Sequence, residues 1–273
     1  MIIEKANPEL TSTMARREEK ILFVLDWLLE FRFSSLPLLS QRIDQPLANT
    51  RKFFNDLLDA GLIQAFKNVH TKNQRYVLLK KAGVSYLEGH GRDVSGATTR
   101  IQHLGKYGRV IHDLSVQHAV LSRLDKFQEV IWDSRINKDD YVERPDAILV
   151  TEKGIRIALE YERWRKDRKR IFLIYESHLK AIRDKKFSGV YYDFYSPADV
   201  AFYRQLFLHG ESKPDIDDML PENDYSSSSV YWPQYIREKK SGRVLETKRM
   251  VRPFDYGVKN LDKIVSFAHN PFE

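Results

Sequence analysis

Two acidic residues in the middle of the chain have the types and spacing of a site for a divalent metal ion. Asp146 follows a proline at the start of one short apolar run, and Glu160 lies near the end of a second, residues 155–161. Residues 152–154 between the runs are typical of a turn. Paired strands with an acid on each can hold Mg²⁺ or Mn²⁺ through oxygen ligands against a phosphate. A metal ion there would lower the pKa of a bound water and offset developing negative charge.

The segments around these acids predict a mixed sheet with helices on its faces, because strand patterns alternate with helical ones. In chain order they are a helix at 110–126, strands at 128–136, 146–150 and 155–161, a helix at 164–182, a strand at 187–195 and a helix at 196–208. A helix joins the third and fourth strands, so these two are predicted to be parallel, whereas the first three can form a meander.

The first third of the chain predicts three helices followed by a β-hairpin, which is the order of a winged helix-turn-helix. The predicted elements are helices at 17–31, 34–43 and 44–60, strands at 62–69 and 75–79, and a short helix at 82–87. Asp44 is expected to cap the third helix, with Pro46 in its first turn. Candidate DNA contacts are Asn49, Thr50, Arg51, Lys52 and Asn55 on that helix and Lys72 and Arg75 at the wing. The alternative is a winged helix that packs only against other proteins.

Composition shifts divide the chain into four predicted regions. A winged-helix domain at 1–90 is followed by a linker at 91–108, a sheet domain at 109–209 and a C-terminal region at 210–273. The C-terminal region is first acidic and Ser-rich, then mixes aromatic and basic residues. Such a mixture can bind single strands by stacking and charge, but an irregular arm packed on the core or on a second subunit is favoured.

The charge of the chain indicates an anionic partner. The 273 residues carry a formal net charge of +7, and residues 161–186 alone hold ten Lys or Arg against four Asp or Glu. Arg165 and Arg168 in this segment are candidate contacts to a DNA backbone. The alternative is a well-solvated helix.

Other functions are excluded by what the sequence lacks. There are no cysteines, which excludes disulfides, zinc fingers and thiol catalysis and fits a cytoplasmic protein. The longest apolar stretch, residues 21–29, is too short to cross a bilayer. The first ten residues do not have the pattern of a signal peptide.

The order of elements and acids resembles the PD-(D/E)XK nuclease fold of restriction-type endonucleases. More narrowly, residues 17–196 resemble the MOB-C class of plasmid mobilization relaxases and the wider replication-relaxation family. The matching segments are His112-Asp113-Leu114, Arg144-Pro145-Asp146-Ala147 and Leu159-Glu160-Tyr161-Glu162. The resemblance implies a metal-dependent protein that nicks double-stranded DNA at a transfer origin together with accessory relaxosome proteins.

The sequence departs from the nuclease pattern at one position. The family places a lysine two residues after Glu160, on the same strand face, but Glu162 stands there. Three explanations are open. Glu162 is a third metal ligand, the lysine has moved to the following helix as Lys166 or Lys169, or the site is inactive. In the last case the chain is a winged-helix DNA-binding regulator or replication accessory protein with a degenerate nuclease fold. A defence or repair nuclease on the same fold is a third possibility.

Histidine and tyrosine are the other candidate catalytic residue types. The resemblance implies an active-site role for His112, whereas a lone histidine is more often a surface residue or a polar residue at a helix start. No two histidines are two residues apart, so the His-apolar-His metal triad of the commoner relaxases lacks its ligands. Tyr141, Tyr161 and Tyr175 lie near the acidic motif in sequence, and a role for one of them as a covalent nucleophile is left open. Oligomeric state is open as well.

Overall fold

The computed structural model describes residues 1–3, 5–9, 12–67, 75–104, 107–208, 236–237, 244–246 and 254–258. This part of the chain is mixed α and β, as the sequence predicts. Its contacts form two compact units, Met1–Ile131 and Trp132–Lys259. These units and the predicted domains divide the chain at different places, and the predicted domains stay a prediction.

The first unit contains five α-helices and a small antiparallel sheet within its described residues. The elements are α1 (Thr13–Phe31), β1 (Phe33–Ser35), α2 (Leu36–Arg42), α3 (Leu47–Asp59), β2 (Ile63–Lys67), β3 (Arg75–Leu79), α4 (Lys81–Gly89) and α5 (Tyr107–Leu121). The strand order is β1-β3-β2, with both pairings antiparallel. Ser35 caps α2 by accepting from the Leu38 amide.

A buried glutamine ties α5 to the elements before it. The side chain of Gln117 accepts from Trp27 Nε1 at 3.0 Å and from Ser34 Oγ at 2.6 Å. Its amide nitrogen donates to the Phe33 carbonyl at 2.8 Å. Because a buried amide is costly unless it is hydrogen-bonded, these three bonds hold α5 in the core of the first unit.

One local prediction in this unit is wrong. Asp44 does not cap α3, because Asp44 adopts a left-handed conformation with φ of 50° and Pro46 is the residue at the N-cap position. Helix α5 is buried on more than one side, because Val116 and Ala119, which lie away from the side of Val110 and Leu114, are also fully buried. Packing on several sides thus overrides the simple amphipathic pattern.

The second unit is built around a mixed sheet. The first strand, β4 (Glu129–Trp132), runs across the boundary between the units. The elements after it are β5 (Ala147–Val150), β6 (Arg156–Glu162), α6 (Arg168–Arg183), β7 (Val190–Phe194), α7 (Pro197–Leu208), β8 (Ile236–Arg237), β9 (Val244–Glu246) and β10 (Phe254–Val258). The strand order is β10-β7-β6-β5-β4. The pair β5–β6 is antiparallel, whereas β6–β7 and β7–β10 are parallel. The predicted mixed sheet and the predicted parallel pair are therefore confirmed.

The turn between β5 and β6 sets their register. Gly154 has a φ of 74°, a conformation that favours glycine, and its amide donates to the Thr151 carbonyl at 2.8 Å. Ala147 then lies opposite Leu159, and Val150 opposite Arg156. Continuing this register by one residue places Asp146 opposite Glu160.

Three boundaries in the second unit differ from the predictions. The strand predicted at 128–136 ends at Trp132, because Asp133–Arg135 forms a short 3₁₀ turn. The helix predicted from residue 164 begins at Arg168, because Asp167 caps it by accepting from the Arg170 amide at 2.9 Å. The C-terminal region supplies β10, which pairs with β7, so this part of the predicted arm belongs to the sheet.

Candidate functional site

Asp146 is fixed beside β6 by the backbone. Its carboxylate Oδ2 accepts from the Tyr161 amide at 2.9 Å, and its own carbonyl accepts from the Asp133 amide at 3.1 Å. The residue just before Asp146 is a proline, which cannot donate a ladder hydrogen bond. β5 therefore starts only at Ala147, and the partly exposed carboxylate of Asp146 turns towards the end of β6.

The preceding residues anchor this strand end to α6. Arg170 donates two hydrogen bonds to the Glu143 carboxylate, at 2.6 and 2.7 Å, and the Glu143 amide donates to Ser177 Oγ at 2.9 Å. Arg144 forms an ion pair with Asp133. A two-pronged arginine–carboxylate pair restricts geometry more than a single contact does, so α6 and the segment leading to Asp146 are held in a defined relation.

Glu160 and Glu162 lie on the same face of β6, since alternate residues of a strand share a face. In the parallel pairing Glu160 lies opposite Tyr192, and Glu162 opposite Phe194. The apolar cluster that includes Tyr192 and Phe194 also contains residues of α6 and Tyr203 of α7. Both glutamates are consequently buried, with exposed fractions of 8% and 3%.

Lys166 brings a positive charge to these buried acids. Its ammonium nitrogen lies 2.5 Å from Glu162 Oε1, and its amide donates to the Tyr203 hydroxyl at 3.4 Å. Burial raises the pKa of Glu162 to about 7, while Lys166 lowers it and the charges of Glu160 and Asp146 raise it. The charge of Glu162 is therefore sensitive to all three neighbours.

A histidine of α6 that no sequence motif singles out lies beside Glu160. His178 is fully buried on α6, and its Nδ1 lies 2.6 Å from the Tyr192 hydroxyl. Its Nε2 lies 3.1 Å from Glu160 Oε1. Nε2 makes no hydrogen bond with any described residue. Burial lowers the pKa of His178 to about 4, so the ring is neutral near pH 7.

The second unit thus brings together four of the predicted catalytic residues, Asp146, Glu160, Glu162 and Lys166. Within the part of the chain that the structure describes, no three His, Asp or Glu side chains converge closely enough to hold a metal ion. Asp146 and Glu160 supply hard oxygen donors, and His178 Nε2 lies beside Glu160. Two carboxylates are chemically suited to a divalent ion, whereas the neighbouring Glu162 is already paired with Lys166.

The other predicted basic residues lie around the start of α6. Lys169 and Arg168 are exposed in its first turn. Arg165 is directed towards α7, where its Nε donates to Asp199 at 2.9 Å and its guanidinium lies 4.4 Å from the centre of the Phe202 ring. Of the two lysines proposed to replace the missing strand lysine, Lys166 is the one that contacts an acid of the site.

The predicted aromatic nucleophiles are mostly part of the core. Tyr161 and Tyr175 have exposed fractions of 2% and 0%, and the Tyr175 hydroxyl donates to the Tyr203 carbonyl at 3.3 Å. Tyr141 is partly exposed and stacks on Phe187, and burial raises the pKa of its hydroxyl. Tyr161 and Tyr175 are therefore core residues, and the raised pKa of Tyr141 disfavours ionisation of its hydroxyl.

His112 belongs to the first unit and has charged neighbours there. Its Nδ1 lies 3.5 Å from Asp113 Oδ1. The buried Asp113 carboxylate is also 2.8 Å from Arg109 and 3.4 Å from Arg32. These contacts give the His-Asp-Leu segment a structural role within the first unit.

The predicted DNA contacts of the first unit fall into two groups. Asn49, Arg51, Lys52, Asn55 and Arg75 are exposed. Thr50 is fully buried, and its hydroxyl bonds to Ser40 Oγ at 2.7 Å and to the Leu47 carbonyl at 2.9 Å. Thr50 is therefore not part of the exposed face of α3, and Lys72 lies outside the described residues.

Three of the exposed residues line one groove on the first unit. It has a volume of about 370 Å³. Arg51 and Asn55 on α3 and Arg75 at the start of β3 line it, together with Leu36, Pro37, Leu47 and Phe54. Two guanidinium groups and an amide beside an apolar floor are suited to phosphate and base contacts. The groove is the candidate nucleic-acid interface of this unit.

Comparison with known proteins gives no relative from which a role could be transferred. No protein-family model, curated protein or solved structure matches the chain. Among the described helices, none combines the length and the apolar character needed to cross a membrane.

Proposed function

We propose that this protein is a metal-dependent, relaxase-like endonuclease that nicks DNA. The observation that carries the proposal is the contact of the Lys166 ammonium with Glu162, at 2.5 Å, in a cluster with Glu160 and Asp146. The resemblance to PD-(D/E)XK nucleases requires a lysine beside the acids, and the sequence lacks it on β6. Lys166, four residues after Glu162, provides a cation at the same place from the connection to α6.

In this proposal Asp146 and Glu160 are the principal holders of Mg²⁺ or Mn²⁺. The metal ion would supply a water of lowered pKa and a positive charge for the phosphate. Asp146 is positioned by its bond to the Tyr161 amide, and Glu160 by the register of β6 against β7. Glu162 holds Lys166 in the cluster through their ion pair, and its carboxylate would be a further oxygen donor beside the ion.

We further propose that the first unit is a winged helix that recognises DNA. The order α1-β1-α2-α3-β2-β3 is consistent with this fold. The groove with Arg51, Asn55 and Arg75 provides charge and hydrogen-bond donors next to the third helix. A transfer origin on a plasmid or mobile element, with accessory relaxosome proteins, is the target that the resemblance to MOB-C relaxases implies.

A second candidate function is favoured by a separate observation. No three His, Asp or Glu side chains converge as a metal-binding group among the described residues, and Glu162 is already neutralised by Lys166. A protein of this kind would bind DNA through the first unit without cutting it, as a regulator or replication accessory protein with a degenerate nuclease fold.

One experiment separates the two functions. Supercoiled DNA that carries the intergenic region next to the gene is incubated with the protein and Mn²⁺, and both DNA binding and conversion to open circles are measured. The endonuclease predicts nicking that Asp146→Ala and Glu160→Ala abolish while DNA binding persists. Binding by the wild type without any nicking would contradict it and favour the regulator.

A further inference from the structure

A tryptophan on the connection between β6 and α6 is exposed and has no part in the proposed metal site. Trp164 has an exposed fraction of 50%, whereas Trp27 and Trp132 are fully buried. Because tryptophan is highly buried on average, a large exposed ring is the informative exception. Arg163 lies over the Trp164 ring, at 5.1 Å from its centre, and half of the side chain is still accessible to a further partner.

The residues on both sides of Trp164 are fixed to the second unit. Glu162 is the last residue of β6, and its carboxylate pairs with the Lys166 ammonium. Arg165 Nε donates to Asp199 at 2.9 Å. Trp164 therefore extends from a backbone segment that is anchored before and after it, so little further ordering of the chain is needed when a partner binds to the ring.

The charge around Trp164 favours an anionic partner. Residues 163–170 contain six Lys or Arg and one Asp. Three of the six cations form ion pairs with carboxylates, whereas Arg168 and Lys169 are exposed in the first turn of α6. Exposed cations beside an aromatic ring match a nucleic-acid strand, because each of its bases has a π-face and each of its linkages carries a negative charge.

A base can stack on Trp164 only when it is not already stacked inside a duplex. In double-stranded DNA both faces of an internal base are covered by its neighbours, and exposing one costs unstacking energy. A single or locally melted strand has accessible base faces, and arginine adds cation–π contacts at sites that bind such strands. Trp164 is two residues from Lys166, so their Cα atoms are no more than about 7.6 Å apart. A nucleotide stacked on the ring therefore lies next to this lysine.

We propose that Trp164 is a base-stacking residue that binds an unpaired nucleotide of a DNA strand beside the Glu162–Lys166 pair, while Arg168 and Lys169 contact the phosphates of the same strand. The inference deepens the proposed function and rests on it for the use of the bound strand, because it specifies that the cluster acts on DNA whose bases are unpaired. Binding of the strand needs no metal ion, so it can be measured without cleavage.

The test measures the tryptophan fluorescence of the full-length protein with a chelator present, so that no strand is cut. The probe is an oligothymidine of about twelve nucleotides, a length within the usual site size for single strands. Stacking of a base on an exposed indole quenches its emission, whereas the buried Trp27 and Trp132 cannot stack on a strand. The wild type should lose emission on titration. Trp164→Leu should remove this quenching and weaken binding by about fivefold or more.

Two phenylalanine variants are the matched controls, and circular dichroism establishes that each variant is folded. Phenylalanine keeps a stacking face, so Trp164→Phe should retain most of the affinity that Trp164→Leu loses; equal losses in the two would overturn stacking. Trp232→Phe, at a position outside the described residues, should keep both the quenching and the affinity. This variant decides the matter even if Trp164→Leu does not fold, because Trp27 and Trp132 are buried and any stacking signal that remains comes from Trp164.

The contacts to phosphates have their own pair of variants. Lys169→Ala should reduce the slope of log affinity against log salt by about 0.7, the change expected for one phosphate of a single strand. Lys180→Ala, which removes an exposed lysine from the last turn of the same helix, should leave the slope unchanged. Equal slopes in the two variants would overturn the phosphate contact.

The outcomes also separate the inference from the function on which it rests. Quenching that persists in Trp164→Leu and is lost in Trp232→Phe would overturn the proposal and assign the strand to the C-terminal region. A Trp164-dependent change with phosphatidylserine vesicles or with rising protein concentration, but none with oligothymidine, would overturn it in favour of a membrane surface or a second copy. Trp164-dependent quenching supports the stacking site even if Mn²⁺ produces no nicking, whereas nicking without such quenching overturns the stacking site alone.

Discussion

Replacement of Glu162 by glutamine tests the electrostatics of the cluster in the absence of metal. Burial raises the pKa of this carboxyl from its ordinary value of 4.5 to about 7. The folded protein therefore holds the proton more tightly than the unfolded chain does. The stability that this tighter proton binding contributes is fully present below about pH 4.5, decreases as the pH rises towards 7, and is lost above that.

The size of this pH-dependent stability follows from the two pKa values of the Glu162 carboxyl, 4.5 and about 7. One unit of pKa corresponds to about 1.4 kcal/mol, so the change from 4.5 to about 7 corresponds to about 3 kcal/mol at full ionisation. Most of it, about 2–3 kcal/mol, develops between pH 5 and pH 8. Glutamine has nearly the same shape and no charge, so Glu162→Gln removes this pH-dependent cost together with the ion pair to Lys166.

The assay is urea denaturation at pH 5 and pH 8 in the presence of a chelator. The stability of Glu162→Gln relative to the wild type should be about 2–3 kcal/mol more favourable at pH 8 than at pH 5. Glu152→Gln, in the exposed turn between β5 and β6, should show no such difference. If the wild type and Glu162→Gln lose stability in parallel between the two pH values, the assignment of a buried, proton-holding carboxyl to residue 162 is refuted.

Three further predictions concern the first unit. Gly83→Ala should lower the free energy of unfolding in urea by about 2 kcal/mol or more, since a Cβ there would lie 2.1 Å from the Leu62 carbonyl oxygen. Gly89→Ala in the same helix has open space and should not destabilise. Gln117→Leu should cost about 3 kcal/mol in the same assay, because it leaves buried partners without hydrogen bonds; an unchanged midpoint would contradict the network. Arg51→Ala should weaken DNA binding in fluorescence anisotropy for all sequences and reduce the salt slope by about 1; unaltered binding would exclude the groove as the interface.

The sequence predicts the elements that carry the acids because their signals are local. Alternating apolar runs and a Gly154 turn identify β5 and β6, and the helix between β6 and β7 indicates their parallel pairing. Asp146 and Glu160 come together through this hairpin. Residue spacing alone is thus sufficient to predict that these two carboxylates are neighbours.

The cation and the histidine of the site depend on tertiary packing. The sequence leaves Lys166 and Lys169 as equivalent candidates, because nothing in their spacing shows that α6 begins only at Arg168 and that Lys166 lies in the preceding connection. His178 follows Ile174 and Tyr175 at helical spacing and therefore resembles one more residue of an apolar helix face. Its only sequence signal is a polar ring on that face.

Tertiary packing also decides side-chain directions in the first unit that the sequence does not predict. Thr50 is polar and lies among DNA-binding residue types, but its hydroxyl is directed to Ser40 Oγ rather than to solvent. Residue type shows what a side chain can do, whereas its direction around α3 depends on how the helix is packed. Burial of Val116 and Ala119 on α5 likewise arises from contacts that helical periodicity does not encode.

The most direct test of the central claim is anomalous diffraction at the manganese edge from crystals of the full-length protein in saturating Mn²⁺. The proposed function predicts an anomalous peak at about 2.1–2.2 Å from carboxylate oxygens of both Asp146 and Glu160. Density elsewhere only, with Lys166 still paired to Glu162 and no peak at these two acids, would contradict the claim that this cluster is a metal-dependent catalytic site.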